Sequence, residues 1–361
     1  MDRLKKAREA INRVDAEMAR LFNERMESAA IIAEYKMERG LPIFDKARED
    51  EVILKNSALV EDETVREYYV NFLKNTMTVS RRYQERLMKG MKVAYAGTEG
   101  AFAHLATSKL FPTAEKIAYS DFEAAYRAVE RGECDVAVLP TENSYNGEVG
   151  QVSDLMFSGS LFVTGITELA VTQDLLGVKG ARIEDIKEVL SHPQALGQCA
   201  SFIKEKGFTT SEFSNTALAA KHVAEKGDKS IGAIASAEAA ALFGLEVLAR
   251  NINASRSNTT KFAVFSKAEN KHRSSEMGVH TVLLFTVRNE AGALAKAIEI
   301  IGKHGFNMRA IRSRPMKDLL WQYYFYVEAE GNVNTPDGAA MMEELNTYCD
   351  KLRAVGTFVK E

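Results

Sequence analysis

A chain of 361 residues, 46% of them hydrophobic, carries enough apolar material for more than one core, and its length predicts two or three domains. Its 47 basic and 50 acidic side chains leave a formal charge of -3, which excludes a global attraction to nucleic acid or an anionic membrane. No apolar run approaches the roughly 20 residues that span a bilayer, and the charged start at Met1-Asp2-Arg3 is no signal core, so a cytoplasmic protein is expected. Cys134, Cys199 and Cys349 are widely spaced, which predicts reduced structural thiols rather than a metal or disulfide framework.

Residues 1–90 contain hardly any glycine or proline and read as helix. Leu4, Ala7, Ile11, Val14, Met18, Leu21, Phe22, Met26, Ala29, Ile32 and Ala33 recur at three- and four-residue steps until Gly40-Leu41-Pro42 must stop the helix. Asp45 suits the N-cap of a shorter helix to about Asn56, and a third helix is expected from about Glu63 to Met88. Three helices cannot easily bury so long a stripe alone, which predicts pairing with a second copy.

Arg8, Arg25, Lys36 and Arg48 stand among apolar helical positions, where a cation is either solvated or needs an anionic partner. With Asp15, Glu24, Pro42-Ile43-Phe44-Asp45, Glu49, Ser80 and Gln84, they make the segment resemble the all-helical chorismate mutases over essentially its whole length. The resemblance implies that Arg8 and Arg25 bind the chorismate carboxylates, and that Arg48, Ser80 and the Asp45 backbone orient the substrate. It also implies that Glu49 holds the ring hydroxyl and that Lys36 and Gln84 face the ether oxygen. A Claisen rearrangement transfers no proton, so it asks only for a compact conformer and positive charge at the breaking C–O bond.

From residue 91 to 268 short β-branched runs alternate with helical stretches: Val93 to Tyr95, Val136 to Leu139, Val163 to Val171, Glu188 to Leu190, Ile231 to Ala235 and Phe262 to Phe265. Polar motifs stand at strand ends or helix starts, where open α/β sheets bind ligands: Gly97-Thr98-Glu99-Gly100-Ala101-Phe102, Pro140-Thr141-Glu142-Asn143-Ser144-Tyr145-Asn146-Gly147, Ser191-His192-Pro193-Gln194, Ser214-Asn215-Thr216-Ala217 and Asn258-Thr259-Thr260-Lys261-Phe262. Taken singly, the glycine-rich one is a tight turn and Ser191 a helix cap. In this order they resemble prephenate dehydratase.

That resemblance implies two lobes of the periplasmic-binding-protein type with prephenate in the cleft and Thr260 as the central catalytic hydroxyl. Glu142, Asn143, Ser144, Ser191, His192, Gln194, Thr216, Lys261 and Phe262 are then the substrate-binding set. Lys261 stands where the family usually has arginine, keeping the charge but losing the bidentate fork. Thr98 stands for a usual proline and Thr141 for a usual isoleucine. His104, His192 and His222 match no metal-ligand spacing and are expected to be structural. No metal or cofactor is expected.

Residues 269–278 are polar and aperiodic, the best linker candidate. Residues 279–361 then read strand, helix, two strands, helix, strand, a ferredoxin-like order. Gly292-Ala293-Leu294 and Arg312-Ser313-Arg314-Pro315 resemble the two effector motifs of ACT domains, which implies phenylalanine as a feedback effector. Arg312 occupies the place of a usual glutamate, which predicts weakened or altered control. Two rivals stay open: a non-catalytic two-lobed sensor fused to a helical dimeriser, and an enzyme with one live site. Lys36, Gln84 and Thr260 together are features a sensor would not need, and the absence of a GxGxxG disfavours a prephenate dehydrogenase.

Overall fold

The computed structural model describes residues 3–254, 258–270, 278–316 and 322–359. It divides into two compact units, Met1–Met91 and Lys92–Glu361.

In the first unit, α1 (Arg3–Arg39) runs unbroken for 37 residues, and Gly40 ends it with a left-handed φ of 63°. α2 (Lys46–Ser57) begins where the Asp45 carboxylate accepts the Arg48 N–H at 3.0 Å. α3 (Glu63–Lys89) packs along α1. The buried positions are few: Ala29 and Ala33 on α1, and Leu73, Met77, Ser80 and Gln84 on α3. Leu4, Ile11, Val14, Met18, Leu21 and Phe22 stay exposed along α1. Each of these, if covered, would contribute about 1.5–3 kcal/mol.

The second unit opens with a lobe of β1 (Lys92–Ala96), α4 (Phe102–Leu110), β2 (Glu115–Tyr119), α5 (Phe122–Arg131), β3 (Val136–Asn143), β4 (Gly147–Glu148), α6 (Gly150–Ser158) and β5 (Phe162–Ala170). The chain then builds a second lobe from β6 (Asp174–Gly177), β7 (Glu188–Ser191), α7 (Pro193–Gln198), α8 (Ala200–Lys206), β8 (Thr209–Glu212), α9 (Thr216–Lys226), β9 (Ile231–Ala235), α10 (Ala237–Phe243) and β10 (Glu246–Ala249). It returns as β11 (Thr259–Ser266), which inserts between β3 and β5 to give the first sheet the order β2-β1-β3-β11-β5. The second sheet is ordered β10-β6-β9-β7-β8. Because β11 is antiparallel to β3, its first residues lie beside the last residues of β3, and Thr260 pairs with Asn143. The tight turn after β1 needs its glycine: Gly100 has φ 83°, and a Cβ there would press on Leu242 and Ala217 of the second lobe.

The C-terminal part contains β12 (Val279–Val287), α11 (Ala293–Lys303), β13 (Asn307–Pro315), β14 (Tyr323–Glu330), α12 (Pro336–Asn346) and β15 (Cys349–Val359), with sheet order β13-β14-β12-β15. β12 is buried along nearly its whole length, without alternation, because both faces of the sheet are covered. Leu283 and Phe285 face α11 and α12 with Ala297, Ile300, Met341 and Leu345. Val282 and Leu284 share the first lobe's core with Met156, Leu161 and Val163. The approach is closest at Gly356, where a Cβ would strike the Val163 backbone. The expected linker falls largely on residues 271–277, which lie outside the described residues.

Candidate active sites

In the helical unit the expected residues converge from three elements. Arg25 Nε donates to Ser80 Oγ at 3.1 Å, tying α1 to α3. Lys36 Nζ donates to the Ile43 carbonyl at 2.6 Å, tying the end of α1 to the loop before α2. Glu49 forms an ion pair with Arg81, a residue the sequence reading did not name, and Arg81 also donates to Thr78 Oγ at 2.9 Å. Its one signal was position: Arg81 precedes Gln84 by three residues, so both share a helix face. Gln84 is 7% exposed, and its Oε1 has no hydrogen-bond partner among the described residues. Such a buried orphan costs about 1–3 kcal/mol.

Arg8 and Arg48 stand apart from this cluster. Arg48 is exposed and pairs with Glu51 at 2.7 Å. Arg8 lies on the same continuous helix as Lys36, 28 residues away, which is about 42 Å along the axis. No single substrate molecule touches both within one chain.

Between the two α/β lobes lies a cavity of about 400 Å³, lined by residues from every polar motif of the segment. Asn143, His192, Gln194, Thr216 and Thr260 of the expected set line it. Glu142, Ser144, Ser191, Lys261 and Phe262 do not. Strand alternation turns Lys261 away from the Thr260 side, and its Nζ rests on Glu142 Oε2 at 3.0 Å. Phe262 is core at 2% exposure. Ser191 is fully buried and donates to the Ile234 carbonyl at 2.5 Å. The cap of α7 is therefore His192, whose Nδ1 accepts the Gln194 N–H at 3.2 Å, rather than Ser191. Ser144 Oγ accepts the Thr259 N–H at 2.9 Å and fixes the loop after β3.

The remaining histidines are placed in supporting positions. His104 Nδ1 accepts the Gly100 N–H at 3.2 Å, and burial pushes its pKa below the ordinary value. His222 packs its ring on Phe213.

The hydroxyl of Thr260 is held by an oriented amide chain. Asn143 Oδ1 accepts the backbone N–H groups of Tyr145 and Asn146, both at 3.0 Å. Its Nδ2 must therefore point the other way, and it donates to Thr260 Oγ1 at 2.9 Å and to Asn258 Oδ1 at 2.8 Å. Asn258 Nδ2 passes the chain on to Gln198 Oε1 at 3.1 Å. Asn258, named in the sequence only as the start of its motif, and Gln198, not named there, both line the cavity. Gln198 follows Gln194 by four residues, one turn along the same face, which was the available sign.

Among the described residues, the cavity lining contains no lysine or arginine. Positive potential comes instead from the backbone. The N-cap residues of α4, α6 and α9, which are Ala101, Val149 and Asn215, all line the cavity. Ala101 and Val149 supply no side-chain cap, so the first N–H groups of α4 and α6 keep their donors for another acceptor. Three helix N-termini around an amide-rich cleft place partial positive charge where an anion could rest, beside the Glu148 carboxylate that also lines the cavity.

In the C-terminal part, Gly292 caps α11 in the left-handed region, and Leu294 lines a separate cavity of about 410 Å³ with Asn289, Glu290, Phe325 and Lys351. Ala293 is the first residue of α11. The second motif points elsewhere: Arg312 pairs with Glu142 at 2.6 Å, and Arg314 pairs with Asp154 at 3.0 Å. Ser313 alternates to the other face of β13, and Pro315 closes the strand.

Family models match three consecutive stretches: chorismate mutase type II at residues 7–85, prephenate dehydratase at 93–270 and ACT domain at 281–346. A bifunctional chorismate mutase/prephenate dehydratase of Aquifex aeolicus is 32% identical over 100% of this chain and 99% of its own length. Among solved structures, prephenate dehydratase from Arthrobacter aurescens in complex with L-Phe is 25% identical with a TM-score of 0.68 and covers 74% of this chain and 90% of that one. GqqA, described as a quorum quenching acylase, is 31% identical with a TM-score of 0.69 over 75% of this chain and 98% of that one. By its whole-length similarity and its three matched domains, this chain belongs to the family of bifunctional chorismate mutase/prephenate dehydratases with a C-terminal ACT domain.

Proposed function

We propose that the two reactions run at the two clusters just described, chorismate to prephenate in the helical unit and prephenate to phenylpyruvate between the α/β lobes. The observation that carries this reading is the polarity of Thr260. Its oxygen already accepts from a pinned Asn143 amide, so its own proton is free to donate. A hydrogen bond from Thr260 to the ring hydroxyl stabilises the departing hydroxide, which takes its proton from solvent to become water, while loss of the carboxylate as CO2 supplies the electron pair that completes the aromatic ring. The helix N-termini of α4, α6 and α9, with the cleft amides, hold the remaining negative charge. An acyl-transfer reading is less well supported, because a nucleophilic threonine needs a base to accept its proton and no histidine or carboxylate is bonded to Thr260 among the described residues.

In the helical unit, Arg25 and Ser80 hold a carboxylate, Lys36 and Gln84 face the ether oxygen, and Glu49, set by Arg81, takes the ring hydroxyl. Arg48 and the Asp45 backbone close over the substrate. Arg8 completes the site of a second copy, so the enzyme is a homodimer or larger assembly with composite sites. The exposed stripe on α1 supports this. Phenylalanine, the ligand named with the Arthrobacter protein, is the effector of the C-terminal domain, with Gly292, Ala293 and Leu294 contributing to its site. The protein works in the cytoplasm, and among the described residues no helix is long and apolar enough to cross a membrane. Purified protein given chorismate should consume it and release phenylpyruvate, each followed separately. Chorismate loss without phenylpyruvate would leave a mutase alone, and no loss of either substrate would leave the sensor.

A further inference from the structure

Glu142 stands one rung from the Thr260–Asn143 pair and is shared by two cations from two domains. On β11, Lys261 lies opposite it in register and reaches Oε2 at 3.0 Å. From the edge strand β13 of the C-terminal sheet, Arg312 reaches Oε1 at 2.6 Å. The arginine is itself seated, with its guanidinium over the buried Tyr326 ring at 5.0 Å from the centroid. All three charged side chains are between 20% and 27% exposed, so solvent screens the group only in part.

A second contact repeats the pattern one rung further along. Arg314, on the same face of β13, takes Asp154 of α6 at 3.0 Å and lies 3.6 Å from Glu148 of β4. A Cβ at Gly150 would strike the Arg314 guanidinium, so the start of α6 is shaped to admit it. Glu142 pairs in register with Glu148 across the β3–β4 hairpin. Two arginines of one strand therefore grip both arms of the hairpin that carries Asn143, Asn146 and Val149 into the cleft.

We propose that Arg312 is a positioning residue for the dehydratase, acting across the domain boundary through Glu142 to hold Lys261 and the β3–β11 rung that orients Thr260. It touches no substrate. Without it, Glu142 keeps one cation instead of two beside a second carboxylate at Glu148, and the rung loses its restraint from the C-terminal sheet. The proposal rests on the reading of Thr260 as the dehydratase hydroxyl.

The titration of Glu142 offers an independent readout. Burial pushes its carboxyl up, but the hydrogen bond from Lys261 and the charges of Arg312 and Lys261 outweigh this and hold it below the usual carboxylate range. The other charged and titratable groups packed about it are Glu148 on β4, Tyr326 on β14 and Glu168 opposite Lys261 on β5. Loss of Arg312 raises the Glu142 pKa, so the acid limb of the dehydratase profile moves to higher pH.

The test uses the full-length enzyme without phenylalanine, measuring prephenate kcat and KM across pH for wild type, Arg312→Gln, Arg312→Lys, Glu142→Gln and the Arg312→Gln/Glu142→Gln double variant. Arg312→Gln is expected to lower kcat by about 10- to 100-fold with little change in KM, as a small misplacement of a reacting group does. Arg312→Lys should recover most of it, the acid limb should move upward in Arg312→Gln, and removing Arg312 should cost nothing further once Glu142 is gone. Mutase activity in the same samples reports folding. A wild-type kcat and pH profile in Arg312→Gln, a loss that lysine does not rescue, or fully multiplicative losses in the double variant would each overturn the role of Arg312 alone. Absence of prephenate turnover in the wild type would instead overturn the dehydratase reading beneath it.

Discussion

The two candidate sites answer the same demand, recognition of a small dicarboxylate, with opposite electrostatics. The helical unit offers formal charges, Arg25 and Lys36 half-buried and Arg8 and Arg48 exposed, on helices whose apolar stripe is uncovered. The cleft between the α/β lobes offers amides, hydroxyls and three helix N-termini beside one carboxylate, Glu148, with no lysine or arginine in its lining among the described residues. Desolvation explains the difference. A cation sealed in an enclosed cleft costs several kcal/mol before its ligand arrives, whereas oriented N–H groups are already part of the backbone and lose little. Arg8 and Arg48 on the open helices stay solvated in the single chain and carry no such cost. On the proposed reading, one site is complete within a chain and the other is completed by a second copy.

The largest effects should separate the sites. Thr260→Ala is expected to lower phenylpyruvate formation by about 10²- to 10⁴-fold, the range for loss of a positioned proton donor, while chorismate loss continues. Lys36→Ala should do the reverse, with a loss of about 10²- to 10³-fold for one electrostatic donor. Discontinuous assays on each substrate read both, and a folded variant that loses both activities would sink the two-site arrangement.

A subtler change tests the direction of the Thr260 hydrogen bond. Asn143→Asp preserves the acceptors for Tyr145 and Asn146 N–H but replaces the amide donor by a carboxylate oxygen. Thr260 would then donate to residue 143 rather than into the cleft. Prephenate turnover should fall by about 100-fold, with a loss of stability of about 1–3 kcal/mol because the new oxygen faces Asn258 Oδ1 where the amide had donated. Full activity in this variant would mean that the hydroxyl proton does not serve the leaving group.

Completeness within a chain can be tested by mixing. Co-expressed Arg8→Ala and Lys36→Ala chains place both lesions in one composite site of each heterodimer and leave the other intact. Random pairing should restore about a quarter of wild-type mutase activity, since half the dimers are mixed and each has one good site of two. If mixed dimers form without recovering activity above the two parents, Arg8 is a solvated helix residue and the site is not shared.

The sequence made the architecture legible where burial is periodic or continuous. α1, with its stripe ending at Gly40, and β9, buried at every position, could be read from apolar spacing. β2, β8 and β10 could not, because they are edge strands: β8 is almost wholly exposed and β2 has no fully buried residue, so neither shows an apolar run. β6 is buried but only four residues long. At the sites, polar motifs gave Asn143, Thr216 and Thr260. They did not distinguish the two faces of a strand, so Lys261 and Glu142 read like cleft residues although they bind one another. Arg312 could not be understood from its own segment, since its partner lies 170 residues earlier in another domain.

The smallest expected effect sharpens the electrostatic contrast itself. Raising ionic strength from roughly 0.01 to roughly 0.1 M shortens the Debye length from about 30 to about 10 Å, which weakens attraction between solvent-exposed charges. Arg8 and Arg48 are such charges, so the KM for chorismate should rise by about threefold over this range. Helix N-termini act only within a turn or so of their ends, a distance shorter than the Debye length over this range. The KM for prephenate should therefore rise by less than about half as much. The two values can be taken from one preparation, so protein quality cancels. Equal salt slopes would mean that long-range charge, rather than the oriented groups lining the cleft, draws prephenate in, and the proposed division between ionic and dipolar recognition would fail.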